Sequence, residues 1–258
     1  MKNLSGKIAT IVLIFLIGMV IYLSFGVERN DKINISVIEI NGNFHLPKNS
    51  YFEYANLHEK TDYHLLSLQL IRDRFQKHPY IKQVNVEYTG DGKVVVRIKE
   101  KELKALLITN NNRYLMSGDM EIIPVLKNSQ NINYPVIQIA SDDKSISHFK
   151  IVRDNYELKT SFKILTAAKL LNPSLYDNLS EIDFRNGKNA VIHFSSVDYP
   201  VILGAKDEIK KMVVFEKLWE SIGTVQANKL LEYVDLRFTD KVYLGLIGEN
   251  LQVEETQT

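Results

Sequence analysis

Between residues 81 and 100 apolar and polar positions alternate twice. Val84, Val86 and Tyr88 alternate with Asn85 and Glu87, and Val94, Val96 and Ile98 alternate with Val95, Arg97 and Lys99. Thr89-Gly90-Asp91-Gly92 lies between the two runs and is rich in residues that tolerate positive φ. The stretch predicts a β-hairpin with one apolar and one mostly charged face. Upstream, Lys32–Ile40 reads as a strand that ends in the turn signal Asn41-Gly42-Asn43. Pro47 opens a mixed segment. Leu65, Leu68, Ile71 and Phe75 then share one helical face, and Pro79 stops that helix. Residues 33 to 100 therefore read strand, helix, helix, strand, strand, a small α/β layer unit.

Beyond Lys101 the pattern shortens. "LKALLIT", "RYLM", "MEIIPV" and "YPVIQIA" are strand-like runs, with Ser117-Gly118-Asp119 marking a hairpin turn. Leu158, Phe162, Leu165 and Lys169 share a helical face, as do Ile164, Ala168 and Leu171, and Pro173 ends that helix. "EIDFR", Asn186-Gly187 and "AVIHFS" form another predicted hairpin. A second helix carries Ile209, Met212, Phe215, Trp219 and Ile222, with Asp207 as its cap and Gly223 as its stop. "EYVDLRF" and "KVYLGLI" close the chain as two strands before a frayed acidic tail. The expected fold class is α+β. A small β-α-α-β-β unit at 28–102 precedes a mixed, mostly antiparallel β domain with two main helices at 103–250, and 251–258 is a flexible tail. No internal repeat of useful period is visible.

The N-terminus changes the picture. Ile8 to Val27 carries no charge, between Lys7 and Glu28. About 20 residues at about 1.5 Å each span roughly 30 Å, the thickness of a bilayer core. The expectation is a single transmembrane helix at 8–27 behind a cytoplasmic tail at 1–7. Lys2 and Lys7 precede it, whereas Glu28, Arg29, Asp31 and Lys32 nearly cancel, so the bulk of the chain lies outside the cytoplasmic membrane. The competing reading is a cleavable signal peptide with small residues at Ser24 and Gly26. Its apolar region is longer than such peptides carry. Net charge is +1, from 32 basic and 31 acidic residues, so no global field draws nucleic acid. Cysteine is absent, which excludes disulfides and thiol chemistry.

A search for reaction chemistry finds little. His45, His58, His64, His78, His148 and His193 are scattered without metal-ligand spacing and read as surface or turn residues. No nucleophile elbow, Walker A loop or dinucleotide fingerprint is present. Asp142-Asp143, Glu254-Glu255 and Lys210-Lys211 read as solvated charges. No cofactor, metal, catalytic residue or small-molecule substrate is expected. Asp235 and Arg237 alternate with Val234, Leu236 and Phe238, which reads as a strand with a solvated face and a cross-strand ion pair.

Two stretches carry a resemblance. "INGNFHLPKNSY", a helix and "HPYIKQVNVEY…KVVVRIKEKELKALL" resemble a POTRA domain of the kind in the bacterial cell-division proteins FtsQ and DivIB, with Pro79, Tyr80, Ile81, Lys82, Val84 and Val86 matching its pattern. "YVDLRFTDKVYLG" resembles the family's closing hairpin, and "ILGAKDEIKKMVVFEKLW" its Leu-Gly segment before a helix. Departures exist: Leu103 stands where the family often has proline, and Phe238 where tyrosine is common. The resemblance implies a septal scaffold, not an enzyme, that binds FtsB-like and FtsL-like single-pass partners, with other divisome proteins at the POTRA domain. It implies a partner surface at Arg237, Phe238, Thr239, Asp240, Lys241, Val242, Tyr243, Leu244 and Gly245. The alternatives are a POTRA component of an outer-membrane assembly or secretion system and a membrane-anchored extracytoplasmic enzyme.

Overall fold

Alternating and helical spacing sort the described residues into seven helices and twelve strands in a computed structural model. The structure describes residues 2–25, 34–57, 63, 65–109, 112–140, 146, 149–222, 225–238 and 241–248. Helix α1 covers Lys2–Phe25. Its side chains are described at residues 11–22, and all of them are exposed. Among the described residues, no helix is long and apolar enough to cross a membrane. Residues 26 and 27 of the expected span lie outside the described residues.

The first sheet is built from β1 (Val37–Asn41), α2 (Lys48–Tyr54), α3 (Leu68–Gln76), β2 (Ile81–Gly90) and β3 (Lys93–Glu100). The order is β1-β3-β2, with β1 parallel and β2 antiparallel to β3. Val84 faces Ile98, Val86 faces Val96 and Tyr88 faces Val94, so the predicted hairpin face is the one that packs on Ile71 and Phe75. Three expectations shift. Leu65 is 72% exposed, because α3 begins only at Leu68, capped by the Ser67 hydroxyl accepting from Leu70 N–H. Tyr88 is exposed at the hairpin end, where its hydroxyl accepts from Gly92 N–H. Val95, expected on the charged face, is buried. Gly42 has φ +94°, and a side chain there would run into the carbonyl oxygen of Ile98, so the turn after β1 requires glycine.

The second sheet has nine strands, ordered β12-β11-β10-β9-β8-β7-β4-β5-β6. They are β4 (Leu103–Ile108), β5 (Arg113–Ser117), β6 (Ile122–Pro124), β7 (Val136–Gln138), β8 (Leu179–Asp183), β9 (Ala190–Phe194), β10 (Val201–Gly204), β11 (Leu231–Asp235) and β12 (Tyr243–Leu246). Helices α4 (Tyr156–Leu171) and α6 (Glu208–Ile222) bury Leu158, Ile164, Met212 and Phe215 in its core. The pairings β4·β7, β7·β8 and β10·β11 are parallel and the others antiparallel. Two short helices were not visible in the sequence, α5 (Pro173–Asn178) and α7 (Val225–Leu230). Pro173 is thus the first residue of α5, with the Asn172 side chain accepting from Ser174 N–H. Asp207 has φ +57° and not the extended backbone of a cap residue. Gly223 lies outside the described residues.

The nine-stranded sheet contains a duplication. β7-α4-α5-β8-β9 and β10-α6-α7-β11-β12 are each a strand, two helices, a parallel strand and a hairpin partner. The registers correspond: Asp183 faces Val191 as Asp235 faces Tyr243, and Glu181 faces His193 as Tyr233 faces Gly245. Both hairpins shift register one step before that second pair. β12 is therefore the counterpart of β9.

The two sheets meet through the segment between β6 and β7. Leu103, Leu115 and Ile123 enter the first core. Tyr80 Oη accepts from Leu126 N–H at 3.0 Å and lies 2.7 Å from Ser129 Oγ. Tyr134 Oη is 2.9 Å from His45 Nε2. Beneath them Glu100 accepts from Phe44 N–H, His45 N–H, His45 Nδ1 and the Tyr51 hydroxyl. His45 and His78, expected at the surface, are 5% and 2% exposed. Both sit among tyrosine rings; Tyr134 gives His45 a hydroxyl partner, whereas His78 Nδ1 accepts from Tyr80 N–H and its Nε2 has no hydrogen-bond partner among the described residues.

Candidate functional site

The residues singled out near the chain's end fall on the β11–β12 hairpin at one edge of the nine-stranded sheet. Arg237 folds back on Asp235. Its N–H donates to Oδ1 at 2.9 Å, and its guanidinium reaches both carboxylate oxygens at 2.6–3.0 Å. The pair runs along the chain, not across strands, and Asp235 is buried, which corrects the solvated-strand reading. Burial would raise the Asp235 carboxyl, but the Arg237 side chain and N–H hold it below its ordinary value. Asp183 and Arg185 repeat the same geometry at the end of β8. The motif thus caps a strand end in both copies of the duplication. Lys211 is likewise not simply solvated: its Nζ donates to the Leu203 carbonyl at 2.8 Å.

Phe238 is 52% exposed and meets Tyr243 edge-on, ring centroids 4.8 Å apart. Lys241 is exposed, and Val242 is half-buried against the core. Tyr243 and Leu244 are exposed. Gly245 lies beneath the Tyr233 ring, in the space a side chain would need. Thr239 and Asp240 lie outside the described residues, as do His58, His64, His148, Asp142, Asp143, Glu254 and Glu255. Leu230, Tyr233, Leu246 and Ile247 extend the exposed apolar surface beyond the predicted set. Alternation within "EYVDLRF" marked Tyr233 as facing away from Val234, but only the hairpin register places it over Gly245.

β12 pairs with β11 alone, so its outer edge carries backbone donors and acceptors with no neighbouring strand among the described residues. The opposite edge of the same sheet is closed. Residues 149–152 run beside residues 120–122, at the start of β6, with Phe149 N–H donating to Ile122 O at 2.8 Å and Ile122 N–H to Lys150 O at 3.0 Å.

The first-sheet motif residues serve the interior. Pro79, Tyr80, Ile81 and Val84 are buried, Val86 is half-buried, and Lys82 is exposed. Among the described residues no group of three or more His, Asp or Glu could hold a metal ion.

Residues 33–101 match the family described as POTRA domain, FtsQ-type, and residues 105–237 match Cell division protein FtsQ/DivIB, C-terminal. The chain is similar to a cell division protein FtsQ of Geotalea daltonii, 23% identical over 201 residues, 76% of this chain and 70% of that protein. It is also similar to a cell division protein DivIB of Clostridium acetobutylicum, 22% identical over 212 residues, 80% of each chain. The second match ends at Arg237, so β12 lies beyond it.

Proposed function

Because the chain belongs to the FtsQ/DivIB family of cell-division proteins, we propose that it is a membrane-anchored divisome scaffold whose β12 edge accepts a strand from an FtsB-like or FtsL-like partner. It performs no catalysis in this reading. It links early to late division components and so regulates septal peptidoglycan synthesis. The observation that carries the reading is the unequal treatment of the sheet's two edges. β6 is covered by the chain itself, whereas among the described residues β12 is open and flanked by Phe238, Tyr243 and Leu244. The duplication supplies the geometry. β9, the counterpart of β12, has its outer edge occupied by antiparallel β10, so a partner strand on β12 would run antiparallel in the place that β10 takes on β9. In such pairing backbone groups give affinity and alternate side chains give specificity. Anchoring is part of the proposal. It is supported by the exposed apolar run Ile11–Tyr22 in α1 and by the uncharged stretch around it.

Tyr243→Pro removes one N–H and bends the edge strand. Phe238→Ala removes an exposed aromatic anchor, about 2 kcal/mol or roughly thirtyfold in affinity. Both variants should retain a folded chain by circular dichroism yet lose the FtsB-like protein on purification from solubilised membranes. A folded Tyr243→Pro chain that retains the partner at wild-type affinity refutes the β12 edge. Protease added to spheroplasts should digest the portion after Glu28, and protection of that portion refutes the topology.

A further inference from the structure

We propose that α4, α5 and the start of β4 form a pocket for a small soluble organic acid, a compact apolar body that ends in a carboxylate. The pocket is separate from the β12 edge and does not depend on it.

The cavity measures about 370 Å³, a size usual for small-ligand sites. It arises where the chain turns. α4 ends at Leu171 and α5 begins at Pro173, so Tyr176 comes to stand beside the last turns of α4. Phe162 and Leu165 from α4 and Tyr176 from α5 give it an apolar lining. Leu170 stands at its lip, 81% exposed. A lone exposed leucine is ordinary, but one beside an open apolar cavity extends the surface that a ligand can cover. Gly118 completes the wall without a side chain. A Cβ there would lie 3.4 Å from Lys104 Cε, so the glycine leaves that ammonium arm uncovered.

Charge selects the ligand. The lining carries two ammonium groups, Lys104 and Lys169, and no carboxylate. Lys104 is the extra residue of a β-bulge: Leu103 faces Ser117 and Ala105 faces Met116, so no residue of β5 opposes it. A bulge re-aims the side chain it carries, and this one sends Lys104 to the pocket. Lys169 Nζ lies 5.6 Å from the centre of the Tyr176 ring, which holds it over the apolar lining. Glu102 lies just outside and accepts from Lys104. Its carboxyl is held below its ordinary value, first by that bond and then by the charges of Lys104, Lys169 and Lys82. Asp119 takes up Lys82 at 3.7 Å, so Glu102 alone answers Lys104 and Lys169. Each ammonium has three donors, and the Thr166 hydroxyl adds another, enough to receive a second carboxylate. At about 30 Å³ per water-sized group the cavity holds about a dozen heavy atoms, too few for a two-tailed lipid.

The test titrates 4-phenylbutyrate and its neutral isostere 4-phenylbutanamide, about a dozen heavy atoms each, into the full chain in phosphatidylcholine nanodiscs. Saturation-transfer NMR reads binding, with empty discs subtracted. Expected is a Kd of about 1 mM for the acid and about tenfold higher for the amide. Lys104→Gln and, separately, Lys169→Gln should weaken the acid about tenfold and leave the amide unchanged, which erases the difference between the two probes. Thr166→Trp fills the pocket from an exposed position and should weaken both about tenfold, whereas Tyr243→Pro should change neither. Circular dichroism melts confirm that each variant is folded. Equal affinity for acid and amide in the wild type overturns the proposal, as does an acid affinity that both lysine variants leave intact. Binding unchanged in Thr166→Trp puts the probe elsewhere and overturns it too, as does no saturation transfer at about 10 mM. Competition by palmitate, or by phosphatidylglycerol in the disc, overturns the soluble acid in favour of a lipid. Failure on any of these counts leaves the β12 reading standing, because the pocket shares no residue with that edge.

Discussion

Replacing Glu100 by glutamine tests the buried polar cluster of the first sheet, whose His45 reaches Tyr134 beside the second. The carboxylate accepts from Phe44 N–H at 2.7 Å, from His45 N–H at 3.1 Å, from His45 Nδ1 and from the Tyr51 hydroxyl. Glutamine keeps one accepting oxygen and turns an NH₂ toward the donors that met the other. Two charge-assisted bonds, about 1.5–3 kcal/mol each, are lost, and a buried donor is left facing a donor. A destabilisation of about 3–5 kcal/mol follows, in the range for breaking a buried charged pair. For a chain of this size that is a fall of roughly 8–15 °C in Tm. Thermal unfolding of the full chain in detergent micelles, followed by circular dichroism, measures it. The pH dependence gives a second reading. Burial would raise the Glu100 carboxyl, but the bonds from His45, Tyr51 and Phe44 N–H outweigh it and hold the group below its ordinary 4.5. Its contribution is therefore present above pH 4.5 and lost as pH falls through the lowered value. Wild type should lose this stability in that acid window and Glu100→Gln should not. A variant melting within about 2 °C of wild type would refute the reasoning.

Burial lowers the His78 imidazole to about 4; the unfolded chain takes up a proton below about 6.5 and the folded chain does not. Stability should fall by about 3 kcal/mol between those values, and the His78 ring resonances should not titrate above pH 5. Val96 has no exposed surface, so Val96→Asp buries an unpaired carboxylate, and the first sheet should lose its cooperative melting transition. Wild-type melting would mean that β3 sits one residue out of register. Gly245→Val places a side chain where the Tyr233 ring lies; displacing the ring should weaken partner retention while Tm changes by only a few degrees.

Local pattern carried much of the architecture. The alternation at Val84–Tyr88 and Val94–Ile98 gave the hairpin and its inner face, and Asn186-Gly187 gave the β8–β9 turn, because both signals depend on neighbours in sequence. The parallel pairings β7·β8 and β10·β11 were not legible, since helices separate their strands and only tertiary packing decides which strand returns beside which. The duplication was hidden for a related reason: registers correspond where side chains such as His193 and Gly245 do not. The buried cluster of Glu100, His45 and His78 was not legible, and the two histidines read as surface residues, because buried polar groups have no periodic signature. Their partners, Tyr51 and Tyr134, lie up to 89 residues away. Phe238 and Tyr243 were singled out near the chain's last strand, the natural place for an unpaired edge, and strand order puts β12 at the edge of the sheet.

The stoppered β6 end gives the nine-stranded sheet a valence of one. Filaments and cross-β aggregates lengthen only when each added unit brings a fresh edge to replace the one it consumed. Here the incoming unit would bring none, because residues 149–152 already occupy the far side. Two copies meeting through β12 would satisfy one another and growth would halt at a pair. If β12 is the docking edge proposed above, crowding such molecules together raises competition for a single seat on each, and not the length of any polymer they could form through this sheet.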